Sequence, residues 1–191
     1  MTQAVTTKAR VAPAAPTVWT IDPAHTTVEF AVKHLMISTV RGRFRPAEVR
    51  LVGEPDEPLS ARAEAVIDAG SVDTGNGDRD AHLRSADFFD TEHFPTLRYL
   101  SGAVSQTGEG EFEVDGELTI RGVTRPVTLS VTLEGVISDP WGNERLGLSA
   151  EGKIKRSDFD LTWNMALEAG GVVVGDDVRI TIHAEAVRQP A

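Results

Sequence analysis

The 191-residue sequence predicts an all-β chain in which eight antiparallel strands close into a barrel, with one or two short helical segments at the rim. Three observations carry this prediction. Apolar and polar residues alternate with a period of two from Val18 to the C-terminal end. Turn-forming clusters separate the alternating runs, and no long helical pattern falls between them, as a parallel sheet would need. A two-sheet sandwich satisfies the same pattern, but a closed ring leaves no strand edge exposed.

The first run, "TVWTID" (17–22), is broken from the next by Asp22-Pro23, and the two are counted as one strand. In "TVEFAVKH" Val28, Phe30 and Val32 share a face, with Glu29 and Lys33 opposite. Weaker alternation follows in "FRPAEVRLVG" (44–53), "ARAEAVID" (61–68) and "LRYLSGAVS" (97–105). The second half is clearer. Phe112, Val114, Leu118 and Ile120 face one way, as do Val127, Leu129, Val131 and Leu133 on the next run. Leu146, Leu148, Ala150 and Ile154 form a third dry face, and Val178, Ile180, Ile182, Ala184 and Ala186 a fourth. One dry and one wet face per strand is the mark of an antiparallel sheet around a single core. The turns between are "GEPDEP", "TGEGE", "IRGVTRP" and "DPWGN".

Several dry faces carry small residues: Ala61, Ala63 and Ala65, Gly116, Gly135, Ala150 and Gly152, Ala184 and Ala186. A barrel of this size either fills with side chains or holds one small ligand. Small walls leave space along the axis, and close packing penalises empty space. Aromatic side chains from the loops or a bound apolar molecule would fill it, and the pattern weighs the two equally.

Two segments break the alternation. In residues 72–95, Asp78 or Asp80 is expected to cap a short helix reaching about Phe88, with Asp80 and Arg84 paired at i, i+4. That helix leaves Leu83, Phe88, Phe89 and Phe94 to bury, which requires docking at a barrel mouth. In residues 155–177, Ser157 or Asp158 would cap a turn bearing Phe159, Leu161 and Trp163, and Gly170-Gly171 suggests a mobile loop.

Composition removes several function classes. A net charge of −10 opposes binding to nucleic acid or to an anionic membrane surface. The absence of cysteine excludes disulfides, thiolate metal sites and thiol nucleophiles. No apolar run is long enough to span a bilayer. Residues 1–16 read as a flexible tail and 17–191 as a single domain, and the start lacks the apolar core of a secretory signal. A cytoplasmic location is the default expectation, and a processed secreted form fits equally. A homodimer is also open to such a barrel.

Four stretches in register, "IDPAHTTVEFAVKHLMISTVRGRF", "VDTGNGDRDAHLRSADFFDTEHFP", "GELTIRGVTRPVTL" and "GKIKRSDFDLTWN", resemble the YceI-like family. The resemblance runs from about Trp19 to Val187. The last stretch departs from the family pattern, in which the Phe is commonly followed by Gly; here Phe159 precedes Asp160. The resemblance implies a lipocalin-like barrel that binds a long isoprenoid-type lipid, a polyisoprenoid or isoprenoid quinone, for transport or storage, without established catalysis.

With that expectation, Phe30, Val32, Leu83, Phe88, Phe89, Phe94, Trp163 and Met165 are candidate lining residues, against ordinary core packing for each. His34 or His82, with Arg41 or Arg84, is a candidate for hydrogen-bonding a lipid head group. The alternative from another class is a metal-dependent or hydrolytic enzyme using the His/Asp-rich segments. It finds little support: His25, His34, His82 and His93 match no local metal signature, and no GxSxG elbow accompanies Ser85, His82 and Asp87. No catalytic residue, metal or cofactor is expected beyond the lipid itself. A third reading is an interaction module whose barrel is plugged by its own aromatics.

Overall fold

The computed structural model of the chain describes residues 16–166 and 171–190. The expected tail lies outside these residues apart from Pro16, as does Gly170 of the expected mobile loop. The strands are β1 (Val18–Ile21), β2 (Thr27–His34), β3 (Ser38–Val52), β4 (Arg62–Asp73), β5 (Thr96–Gly108), β6 (Glu111–Ile120), β7 (Val123–Ser138), β8 (Glu144–Lys155) and β9 (Val174–Arg188). The one α-helix among the described residues, α1, spans Gly77–Arg84. No described helix is long and apolar enough to cross a membrane.

Strands β2 to β9 form a closed antiparallel ring of eight. Chain neighbours pair in order from β2 to β9, and β9 returns to β2 through Thr27↔His183 to His34↔Val174. Strand β1 fills the remaining length of the β2 position. It pairs with β3 (Val18↔Val52) and with β9 (Ile21↔Ala186), so β1 and β2 share one place in the ring. The 3₁₀ turn Pro23–His25 makes the kink between them, and Asp22 caps it by accepting from the Ala24 N–H at 3.0 Å. The expected merger at Asp22-Pro23 therefore holds.

That kink is tied down electrostatically. Arg145 donates from Nη1 to Asp22 Oδ2 (2.9 Å) and from Nε to Asp139 Oδ2 (2.7 Å), and its Nη1 also meets the Glu185 carboxylate. One guanidinium thus joins β1, the β7–β8 turn and β9. The Arg145 contact, with a further bond to His25, pulls the Asp22 carboxyl down to about 2 from its ordinary 3.8. The same guanidinium holds Asp139 lower still. A depressed carboxyl stabilises the fold above its unfolded value, and that contribution is lost as pH falls through the folded one. The melting temperature is therefore expected to hold above pH 4 and to fall on acidification toward pH 2. An Arg145→Met variant should lose this acid-side fall, because its three carboxylates gain by protonation.

The two interruptions differ in detail from expectation. Asn76, not Asp78 or Asp80, caps α1, its Oδ1 accepting from the Arg79 N–H at 3.0 Å. Asp80 is buried and accepts from the N–H (2.9 Å) and hydroxyl (2.6 Å) of Thr74. Arg84 donates to the carbonyls of Gly70 (2.7 Å) and Val72 (2.8 Å) at the end of β4. The expected Asp80–Arg84 pair does not form, because both groups turn inward to bind backbone. The helix stops at Arg84, and residues 85–94 continue as turns closed by bonds such as Phe89 N–H to Leu83 O (3.0 Å).

The second interruption is a 3₁₀ turn, Arg156–Phe159. Asp176 of β9 caps it, accepting from the Ser157 N–H (3.0 Å) and hydroxyl (2.8 Å), so the cap comes from the adjacent strand rather than from within the turn. Asp160 ends it at φ 58°. This left-handed position suits Gly, and Asp is among the few other residues that tolerate it.

Candidate functional site

The dry faces converge on a cavity of about 380 Å³ along the barrel axis, within the range typical of small-molecule sites. Its wall begins at Leu83, Phe88, Phe89 and Leu161 beside α1 and ends at Trp19, Val52, Pro55 and Pro58 at the opposite end. Between them, almost every residue facing inward is aliphatic or aromatic. An apolar cavity of this kind is not satisfied by water, which needs polar partners.

The small residues divide into two groups. Ala61, Ala63, Ala65, Ala150 and Ala184 line the cavity and set its width. The glycines do not add space, because larger side chains lie over them. A Cβ at Gly116 would fall 2.5 Å from the Tyr99 hydroxyl, and one at Gly152 would fall 2.5 Å from Leu129 Cδ2. Gly42, which was not singled out in the sequence, likewise seats the Phe30 ring, whose Cζ would lie 2.4 Å from a Cβ there. Ala186 is buried in a separate cluster with Trp19 and Leu146. Gly135, at φ 142°, serves a bulge in β7.

Aromatics close the α1 end of the bore. Phe44 bridges Phe30 and Phe89, with both centroid distances at 5.4 Å. Outside them, His82 meets Phe88 (5.0 Å) and Trp163 (4.7 Å) edge to face. The plug and the open bore therefore coexist: rings fill one end and leave the remainder unfilled.

Of the candidate lining residues, Phe30, Val32, Leu83, Phe88 and Phe89 border the cavity. Trp163 packs on Phe88 and His82 just behind it. Phe94 lies instead over Gly122 in the β6–β7 turn, and Met165 is exposed at 58%. Among the head-group candidates, His82 sits at the aromatic end, its Nε2 2.9 Å from Asp87. His34 ends β2, partly buried, without bordering the cavity. Arg41 is exposed on β3, out of register with the inward Phe30–Gly42 pair. Arg84 is committed to β4 carbonyls.

Several polar residues on the wall were not singled out from the sequence, among them Tyr99, Ser101 and Arg156. Tyr99 and Ser101 border the cavity from β5, and Arg156 borders its α1 end. Period-two counting from Leu97 would have found the first two, and counting on from Ile154 would have found the third.

Arg156 is 7% exposed and donates to four backbone carbonyls. Its Nε reaches Gly175 (3.0 Å), its Nη1 reaches Leu161 and Trp163 (3.0 Å to the latter), and its Nη2 reaches Val174 (3.5 Å). Burial holds this guanidinium below its usual value, with Asp176 partly compensating.

The His/Asp-rich segments do not assemble into one centre. His25, His82 and His93 pair separately with Asp22 (3.1 Å), Asp87 (2.9 Å) and Asp90 (2.9 Å). The Ser85 hydroxyl donates to the His82 carbonyl at 2.7 Å rather than to its ring. Asp22, His25 and Glu185 do approach one another closely enough for a metal, but the cation between Asp22 and Glu185 is Arg145.

Residues 19–186 match the YceI-like domain, which spans all eight barrel positions. The chain belongs to the YceI-like family. The UPF0312 protein of Staphylococcus aureus strain MSSA476 is 38% identical to this YceI-like chain over 168 residues, covering 87% of it and 95% of the relative. The crystal structure of Burkholderia cenocepacia BcnA superposes with a TM-score of 0.75 at 25% identity, covering 86% of this chain and 98% of BcnA. A polyisoprenoid binding domain from Saccharophagus degradans shares the fold at 15% identity with a TM-score of 0.66, covering 90% and 98%.

Proposed function

We propose that this YceI-like barrel holds one long apolar molecule of isoprenoid type along its axis and serves to carry or store it. The observation that supports this most directly is the bore of about 380 Å³ walled by hydrocarbon. Burial supplies about 0.8 kcal/mol for each methylene taken from water, less the cost of ordering the chain. Such a site discriminates little between hydrocarbon tails of equal length. Phe30, Val32, Leu83, Phe88 and Phe89 form the contacts at the aromatic end, where Arg156 borders the cavity and His82 lies against Phe88. The shared fold with a domain described as polyisoprenoid-binding agrees with this class of ligand. The charge of −10 on the chain keeps a loaded carrier dispersed.

The test is organic extraction of the purified protein followed by mass spectrometry, with uptake of the C20 hydrocarbon phytane by delipidated protein as the second arm. An extracted isoprenoid at near-stoichiometric yield, or saturable phytane uptake, is the expected result. Protein that yields no lipid and takes up no phytane would sink the proposal.

A further inference from the structure

The hairpin that joins β2 to β3 ends in apolar residues where polar ones are ordinary. His34 O accepts from the Ile37 N–H at 3.2 Å, and Leu35 (φ 50°) and Met36 (φ 60°) fill the two left-handed positions of the turn. Asn and Gly are the usual residues there, because a bulky side chain is strained at positive φ. Yet Met36 is 55% and Ile37 83% exposed, so packing within the chain does not account for them. The Leu35 N–H bonds Val173 O (2.8 Å) and the Val173 N–H bonds Met165 O (3.1 Å), which sets exposed Val172 and Met165 alongside. Strand β3 pairs with β4 only from Arg43 onward, so the hairpin runs past the end of β4. The result is a protruding apolar tip rather than a groove.

Charge is distributed to match. Lys153, Arg179, Ala31 and Arg41 are successive partners across β8, β9, β2 and β3 and form one outward row. Lys155 and Lys33 lie in the next row toward the tip. All five cations are exposed, and among the described residues only Lys153 has an ion-pair partner, Asp177 at 2.8 Å. Ala31 is three residues from His34, which puts its row roughly 10 Å behind the turn. On this side Glu29 and Glu151 fall one row farther back, and Asp158 and Asp160 sit on the 3₁₀ turn after β8. The opposite end also exposes Ile137 and Trp141, but its loops carry Asp56, Glu57 and Glu109, exposed and without an ion-pair partner among the described residues.

We infer that the β2–β3 tip docks on an anionic lipid bilayer. Met36 and Ile37 enter the boundary between head groups and acyl chains, while Lys33, Arg41, Lys155 and Arg179 meet the phosphates. Peripheral apolar elements reach about 5–10 Å into that boundary, and these cations stand at a matching distance behind the tip. The net charge of −10 opposes the contact at long range, but screening beyond about 8 Å leaves the local patch to decide. A standard protein partner needs about 800 Å² of complementary surface, which suits a protruding turn poorly. The inference goes beyond the proposed cargo and does not depend on it.

The test is co-sedimentation of the full chain with vesicles of phosphatidylcholine alone and of phosphatidylcholine mixed equally with phosphatidylglycerol. Wild type should partition to the mixed vesicles and not to the neutral ones. Arg41→Gln and Arg179→Gln should each weaken that binding about five-fold, and Ile37→Ser about ten-fold, with melting temperatures unchanged. The chain has no cysteine, so Ile37→Cys and Trp141→Cys each accept a single environment-sensitive fluorophore. Emission on mixed vesicles should move to the blue at position 37 and stay unchanged at position 141. Failure of wild type to bind mixed vesicles overturns the inference and leaves the tip to an acidic protein. Binding that all three substitutions leave intact, or a blue shift at both positions, overturns it as well. None of these outcomes bears on phytane uptake, which is measured separately.

Discussion

Replacing Ala150 with phenylalanine is expected to weaken phytane binding by roughly fifty-fold while leaving the barrel folded. Ala150 is 4% exposed, borders the bore from β8, and sits between Val131 on β7 and Ile182 on β9. A ring at this point enters the cavity rather than a packed layer. Displacing even three methylenes of a ligand costs about 2.4 kcal/mol, which is the fifty-fold loss. A solidly packed interior would respond differently, with overpacking costing about 1–3 kcal/mol of stability. Titration with phytane beside thermal melting separates the two. A variant that melts far below wild type yet binds normally would contradict the open bore.

Arg156→Leu is the counterpart prediction, with its main effect on stability. The side chain holds the carbonyls of Leu161, Trp163, Val174 and Gly175, and so ties the segment after β8 to the start of β9. Removing it strands several acceptors at once, each worth about 1–3 kcal/mol when left buried and unpaired. Partial rescue by water lowers the total, and a net loss of about 3 kcal/mol is expected. For a domain of this length that lowers the melting temperature by about 6–12 °C. Arg156→Lys should fall between the two, because an ammonium cannot span four carbonyls. Leu161 and Val174 border the bore, so ligand release should also quicken in the leucine variant. Differential scanning calorimetry and stopped-flow displacement measure the two effects.

The dry faces of β6 to β9 were legible residue by residue, because alternation is a local signal and these strands are regular apart from the bulge at Gly135 near the end of β7. Phe112, Val127, Leu146 and Ile180 all line the cavity as the pattern implied. Strands β3 to β5 were weaker in the sequence, and the structure shows why. Their registers shift between Arg43 and Arg45, Pro46 and Glu48, and Ser101 and Val104, and each shift breaks a period-two count. The glycines misled for a different reason. Gly116 and Gly152 looked like spacers, yet each seats a side chain from a neighbouring strand, a contact that no single segment encodes. Asp80 and Arg84 had helical spacing, but a turn and a strand end with unpaired backbone groups lay nearer than their partner on the helix. Side-chain-to-backbone contacts of this sort, like those of Arg156 with the segment after β8 and the start of β9, depend on how turns and strand ends fold and leave no mark in local periodicity.

Closure has a consequence for when the protein can first be filled. The strand that completes the ring is β9, which bonds to β8, β2 and β1 and is made after all of them. Until it emerges from the ribosome the cylinder is an open sheet, and the proposed ligand cannot be enclosed before that point. Under the proposed function, loading therefore comes after β9 is in place.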